Sequence, residues 1–255
     1  MVCLRSIWSC LIFAVSIYFF TPSSISAGPP FRTDDPEPVE FQHWEFYCAA
    51  QIMRDNDGLS GAVPYVEGNY GIIKGMHIHL NVPLFLNRPA TGRAAYGLGD
   101  IEFGLKYRLV NEAKAIPQIG AYPAIEIPTG NAEKHLGAGN VQFFIPLWLQ
   151  KSWGAWTTCG GGGYLINITS NPDNSFFIGW EGQRDISEMV TIGAEIFSTT
   201  FPSENQENDL AFNIGAIVNL NDNHHFLFSA GRDIIGHDDL FCYAAYQLTI
   251  GPSLQ

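Results

Sequence analysis

Basic residues are scarce in this chain. Its 255 residues include 13 Lys+Arg against 25 Asp+Glu, a formal charge of -12. No basic stripe is available to match nucleic-acid phosphates, so nucleic acid is excluded as a partner. Charge of either sign is thin at 15%, against roughly 25% in an ordinary soluble domain. The five cysteines include no CxxC pair and no metal-type Cys/His spacing. Beyond the first 27 residues no apolar run approaches the length of a membrane helix, which rules out a helical bundle in lipid. Glycine (26) and aromatic residues (13%) are abundant, with 46% hydrophobic residues. That composition points to an all-β protein and away from disorder.

The opening segment reads as a secretory signal over residues 1–27. Arg5 gives the positive start, Ile7 to Phe20 the apolar core, and a Pro22-to-Ala27 stretch of small residues the cleavage region. Residues 28–41 follow as a Pro- and acid-rich arm, GPPFRTDDPEPVEF. Its four prolines forbid a central strand or an ordinary helix. It is expected to be extended and to lie in the periplasm.

From His43 onward the period is two. Met76, Ile78, Leu80, Val82, Leu84 and Leu86 alternate with His77, His79, Asn81, Pro83, Phe85 and Asn87. Ile101, Phe103, Leu105, Tyr107 and Leu109 alternate with Asp100, Glu102, Gly104, Lys106 and Arg108. Leu210, Phe212 and Ile214 alternate with Ala211 and Asn213. Each pattern is a strand with one greasy and one largely polar face. About twelve such segments are expected, each long enough to cross a bilayer as a tilted strand of roughly 9–11 residues. Connections after even-numbered segments are short, and several of the others are longer. That asymmetry marks an outer-membrane barrel with short periplasmic turns. The expected fold is therefore a single antiparallel up-and-down transmembrane β-barrel over residues 42–255. A soluble β-sandwich or calyx shares the period and differs in which face meets water.

The barrel assigns sides. Lipid-facing positions are Ile78, Leu80, Val82, Leu84, Ile101, Phe103, Leu105, Tyr107, Leu210, Phe212 and Ile214. Lumen-lining positions are Glu45, Glu67, Asn69, His77, His79, Asn81, Asp100, Glu102, Lys106, Arg108, Glu126, Glu181, Glu195 and Asn213. Acids outnumber bases in the second set, so a water-filled lumen would favour cations. Trp44, Trp148, Trp153, Trp156 and Trp180 suit interfacial girdles. The run Gly160 to Gly163 lacks the Lys-Ser/Thr of a phosphate loop and reads as a place where the barrel wall bends or a bulky neighbour lies across it.

A turn near Ile73-Lys74 pairs Gly71 with His77, Asn69 with His79, and Glu67 with Asn81. Glu67, His77 and His79 then share one face, a set able to bind Zn²⁺ or Cu²⁺. The reading preferred here is plain hydrogen-bonded luminal polarity without metal. No catalytic residues are assigned: there is no GxSxG elbow, and although Ser229 follows His225 by four, the sequence offers no obvious Asn or Asp to orient that His.

Three stretches, PPFRTDDPEPVEFQHWEFY (29–47), GLGDIEFGLKYRL (97–109) and VQFFIPLWLQKSWGAWTTCGGGGY (141–164), resemble the MetA-pathway-of-phenol-degradation family of outer-membrane transporter-like proteins. The resemblance implies a barrel and a pore for small solutes, aromatic ones among them, with no catalytic residues. The expectation is a monomeric outer-membrane channel, without cofactor, that passes small solutes by diffusion. Its partners would be membrane lipid and lipopolysaccharide, the barrel-assembly machinery and the solute. The last residues, GPSLQ, lack the terminal aromatic that many such barrels carry. The alternatives are a closed structural or surface-interaction barrel and a soluble periplasmic ligand-binding β-protein.

Overall fold

The computed structural model describes residues 29–170, 174–202, 208–236 and 238–252; the signal segment over 1–27 lies outside the described residues. Alternating side chains build long strands: β1 (Trp44–Arg54), β2 (Gly58–Ile73), β3 (Met76–Pro89), β4 (Ala95–Leu98), β5 (Ile101–Val110), β6 (Gln118–Ala121), β7 (Ala124–Ile127), β8 (Gln142–Trp153), β9 (Trp156–Asn167), β10 (Ser175–Asp185), β11 (Val190–Thr200), β12 (Leu210–Asn221), β13 (His224–Ile235) and β14 (Leu240–Ile250). β4 and β5 are two pieces of one wall strand, since both pair with β3. β6 and β7 are likewise two pieces, both paired with β5 and β8. The breaks fall at Gly99-Asp100 and Tyr122-Pro123, where a glycine and a proline weaken the ladder. The result is a twelve-strand antiparallel barrel with two extra strand segments.

The sheet closes on itself. β1 pairs with β14 over its whole length, from Trp44 opposite Ile250 to Arg54 opposite Leu240. Closure leaves no free edge. The uninterrupted strands run 11 to 16 residues, well beyond the usual 5–6 of globular sheets. One end of the barrel carries the tight turns at 74–75, 154–155 and 222–223 together with the start of β1 and the end of β14. The other carries the longer connections, including 128–141, which holds a short 3₁₀ turn (Ala132–Lys134).

The β2–β3 hairpin has the register expected from its turn: Gly71 faces His77, Asn69 faces His79 and Glu67 faces Asn81. Along every long strand, exposed apolar side chains alternate with buried ones, and the buried set is rich in polar groups. Ile178 and Trp180 are exposed while Glu181, Gln183, Glu195 and Asn213 are almost completely buried. Polar groups therefore fill the interior, inverting the usual globular arrangement.

The glycine run does what its composition implied. A Cβ at Gly160 would strike the Trp180 ring on the outside; at Gly161 and Gly163 it would strike Trp148 and Phe144 on the inside. Trp148 itself departs from the girdle reading. It is 1% exposed and shares the inner face with Pro146 and Gln150. Its neighbours Leu147 and Leu149 point out, so an apolar residue on each side left its direction undecided. Replacing Gly163 by Leu, which would collide with Phe144 and Pro146, should destabilise the barrel by about 1–3 kcal/mol. Gly182→Ala, where nothing lies within 4 Å, should stay within about 0.5 kcal/mol of the parent. Urea unfolding in lipid vesicles measures both.

Candidate functional site: the lumen and the arm that occupies it

The N-terminal arm lies inside the barrel. Its prolines keep it out of the sheet, and it runs through the lumen. It enters beside the tight-turn end, where Phe41 forms a parallel bridge with Gly71, and crosses the lumen from β3 to β13. The amide of Val39 donates to His77 Nδ1 (2.9 Å). Glu37 takes the Arg108 guanidinium at 2.6 Å and the Gln118 amide at 2.6 Å. The buried Lys106 ammonium sits 2.9 Å from Asp34 and 3.4 Å from Asp35. Both carboxylate oxygens of Glu195 accept arm amides, from Arg32 and Thr33, each at 2.8 Å. Ser229 Oγ donates to the Pro30 carbonyl at 2.6 Å, which uses the hydroxyl that sequence considered as a nucleophile.

Small inner-face residues make the space. A Cβ on Gly120 would meet Pro36, on Gly179 it would meet Thr33, and on Gly193 or Gly215 it would meet Phe31. Thr33, Asp35 and Pro36 are almost fully buried as a result. An extended strap without a strand partner must satisfy its backbone groups with side chains. His77, Glu195, Asn213 and Ser229 do this for the arm.

The residues expected to line the lumen divide between the arm, a network beside it and four separate positions. Lys106, Arg108, His77, Glu195 and Asn213 hold the arm. Glu45, Glu67, Asn69, His79 and Glu102 form a network beside it: His79 lies 3.1 Å from Glu102 and 3.5 Å from Glu67, and meets Asn69 at 2.7 Å. Asn81, half-buried, sits across from both Glu67 and Glu102. Glu126 faces Glu102 across the β5–β7 pairing. Glu181, with no measurable exposure, accepts from Gln183 at 3.1 Å. Asp100 has a separate task, receiving the amides of Gly130 and Ala138 (2.7 and 2.6 Å) and so tying down the 128–141 loop. Of the outward set, Ile78, Leu80, Leu84, Phe103, Tyr107 and Ile214 are exposed; Val82, Ile101, Leu105, Leu210 and Phe212 are half-covered on the same face. No cluster of three or more His, Cys, Asp or Glu able to hold a metal ion is present among the described residues. Cys48, Cys159 and Cys242 are free thiols.

The lumen has a second zone toward the long-loop end. Phe177, Phe197 and Phe241 stack in sequence, with centroids 5.9 and 5.5 Å apart, and Trp148 lies edge-on to Phe177 at 6.1 Å. Tyr65 and Tyr243 face each other at 6.4 Å. Between the tip of the arm and this wall lies a cavity of about 280 Å³ lined by Phe31, Arg32, Gln51, Tyr65, Phe241 and Tyr243 among others. Sequence reasoning missed the arm's own residues as part of the site. The available signal was complementarity, an acidic TDDPE segment and the inward bases Lys106 and Arg108.

Lys106→Met should release the arm, because it removes the cation lying between Asp34 and Asp35, a loss on the order of 3–5 kcal/mol for a buried ion pair. Trypsin should then cleave after Arg32 rapidly, whereas the parent is protected; equal cleavage would show that the pair does not hold the arm.

Comparison with known proteins places this geometry. The COG4313 outer membrane channel from Pseudomonas putida F1 superposes with a TM-score of 0.64 at 15% identity, covering 85% of this chain and 98% of the other. The KdgM porin, in complex with disordered oligogalacturonate, gives 0.57 at 9% identity over 80% of this chain and 98% of its own. The translocator domain of the autotransporter NalP from Neisseria meningitidis gives 0.52 at 9% identity over 81% and 87%. At these identities the likeness is one of fold. No curated protein matches the sequence. The family model described as "Putative MetA-pathway of phenol degradation" matches residues 61–237, more than half of the chain. By that match, the chain belongs to the MetA-pathway-of-phenol-degradation family.

Proposed function

We propose that this protein is an outer-membrane channel for small solutes, hydrophobic or aromatic compounds among them, whose resting lumen is closed by its own N-terminal arm. The observation that carries the reading is the inverted barrel: apolar side chains stand exposed all round the outside, while Lys106, Glu181, Glu195 and Asn213 are buried within. In water such an exterior would be an aggregation surface. In a bilayer it is the face that lipid requires, and closure leaves the wall no unpaired edge. The tight-turn end would face the periplasm, with the arm entering from that side after cleavage of the 1–27 signal. The aromatic zone supports an apolar solute, since ring faces accept flat apolar molecules. Acidic groups outnumber basic ones on the inner wall, which supports cation preference for ions. The barrel would act as a monomer, inserted by the barrel-assembly machinery among phospholipid and lipopolysaccharide, without cofactor or catalytic residues.

Two experiments test this. In planar bilayers, a variant lacking residues 29–41 should conduct several-fold more than the full mature chain and lose its closed intervals. If neither form conducts, the channel reading fails and a closed structural barrel replaces it. Ile214→Arg, at a position 60% exposed on the outer wall, should cost about 2–4 kcal/mol in phospholipid vesicles, as charges near the bilayer midplane do. A cost near zero would mean that water, not lipid, covers this face.

A further inference from the structure

Arg32 stands apart from the other lumenal bases. Lys106 and Arg108 are each matched by arm carboxylates at 2.6 to 3.4 Å. Among the described residues the Arg32 guanidinium makes no ion pair; its recorded contacts are with ring faces, 5.0 Å from the Phe197 centroid and 6.0 Å from that of Phe177. Its backbone amide is spent on Glu195, whose oxygens serve the amides of Arg32 and Thr33 and the Asn213 side chain. The side chain is exposed, as is Gln51 across the same cavity. Both open into the space between the arm and the long-loop end.

That space carries the other half of a recognition pattern. Tyr65, Phe241 and Tyr243 supply ring walls. A guanidinium presents a planar fork of donors that fits a carboxylate bidentately, and its place over the Phe197 ring, 5.0 Å from the centroid, holds it at the cavity wall. The volume, about 280 Å³, is at the small end of ligand pockets and suits a single ring.

We propose that the cavity above the arm is a binding site for a small aromatic carboxylate: the ring lies against Tyr65, Phe241 and Tyr243, and Arg32 receives the anion. The proposal deepens the channel reading and rests on it for the solute's route, though the site itself needs only the docked arm. It also gives the arm a role in recognition, because the cation belongs to the arm and not to the wall.

The test is titration calorimetry on the folded, full mature chain in detergent with three probes: benzoate, benzamide (same ring, no charge) and acetate (same charge, no ring). Benzoate should bind at least tenfold more tightly than either of the others. Arg32→Gln should abolish the preference over benzamide, and Arg32→Lys should keep part of it. Equal binding of benzoate and benzamide by the parent would reduce the site to a neutral aromatic pocket and overturn the proposal. So would an unchanged preference in Arg32→Gln. Equal binding of acetate and benzoate would overturn it by removing the ring's part. The parent-only comparison holds even if a variant fails to fold. Conductance of this chain and of the variant lacking residues 29–41 separates the two claims: binding by the full chain with no conductance by either form leaves the site and removes the channel, and conductance by either form without binding does the reverse.

Discussion

The structure depends on closure of the sheet along the seam between β1 and β14. A wall whose outer face meets hydrocarbon cannot leave a row of N–H and C=O groups at an edge, because each would cost several kcal/mol without water to bind it. Eleven residue pairs from Trp44–Ile250 to Arg54–Leu240 remove that edge. Once closed, the strand's two-residue period has only one consequence available. Whatever alternates with the outward set must face a confined interior, and there it must find partners or water.

The arm follows from that confinement. An interior lined by Lys106, Arg108, Glu195, His77 and Asn213 holds many groups with few neighbours on their own wall. An extended segment with free amides and four carboxylates, three of which (Asp34, Asp35 and Glu37) reach the wall bases, is a good complement. Its prolines prevent it from adding to the sheet, so it docks through side chains and single amides instead of a ladder. Such docking is separable from the barrel. No wall strand needs the arm for its hydrogen bonds, and the inner glycines that accommodate it also leave room when it is gone. The arm can therefore be weighed as a ligand of the barrel, held chiefly by three carboxylates on two bases.

Much of this was legible in the sequence. Strand number, the placement of segments to within a few residues, the β2–β3 register and the alternation of faces all rest on local periodicity, which is written along the chain. What was not legible was non-local. Nothing local tells Thr33 that it will meet Glu195, or Asp34 that it will meet Lys106; those partners are 162 and 72 residues apart. Trp148 shows the other limit. In β8 both faces carry large apolar residues, so polarity assigns no direction, and only the parity of Gln150 settles which way Trp148 turns. The same holds for the aromatic zone. Phe177, Phe197 and Phe241 look like outer-wall residues by type and are inner ones by position.

In the proposed channel, the two zones impose an order on anything that passes. From the long-loop end, a solute first meets rings and the Arg32 guanidinium, where contact area and the π faces reward flat molecules. It next meets the layer of Asp34, Asp35, Glu37, Lys106 and Arg108, where an apolar molecule gains nothing and would have to displace ion pairs. On that reading the second layer is the barrier, and the ion pairs of the arm set its height. A channel built this way selects at the aromatic zone and opens at the ionic one. The arm belongs to both, since Arg32 faces the first and its acids, from Asp34 onward, hold the second, so a solute that pulls on one end of the strap acts directly on the segment that closes the pore.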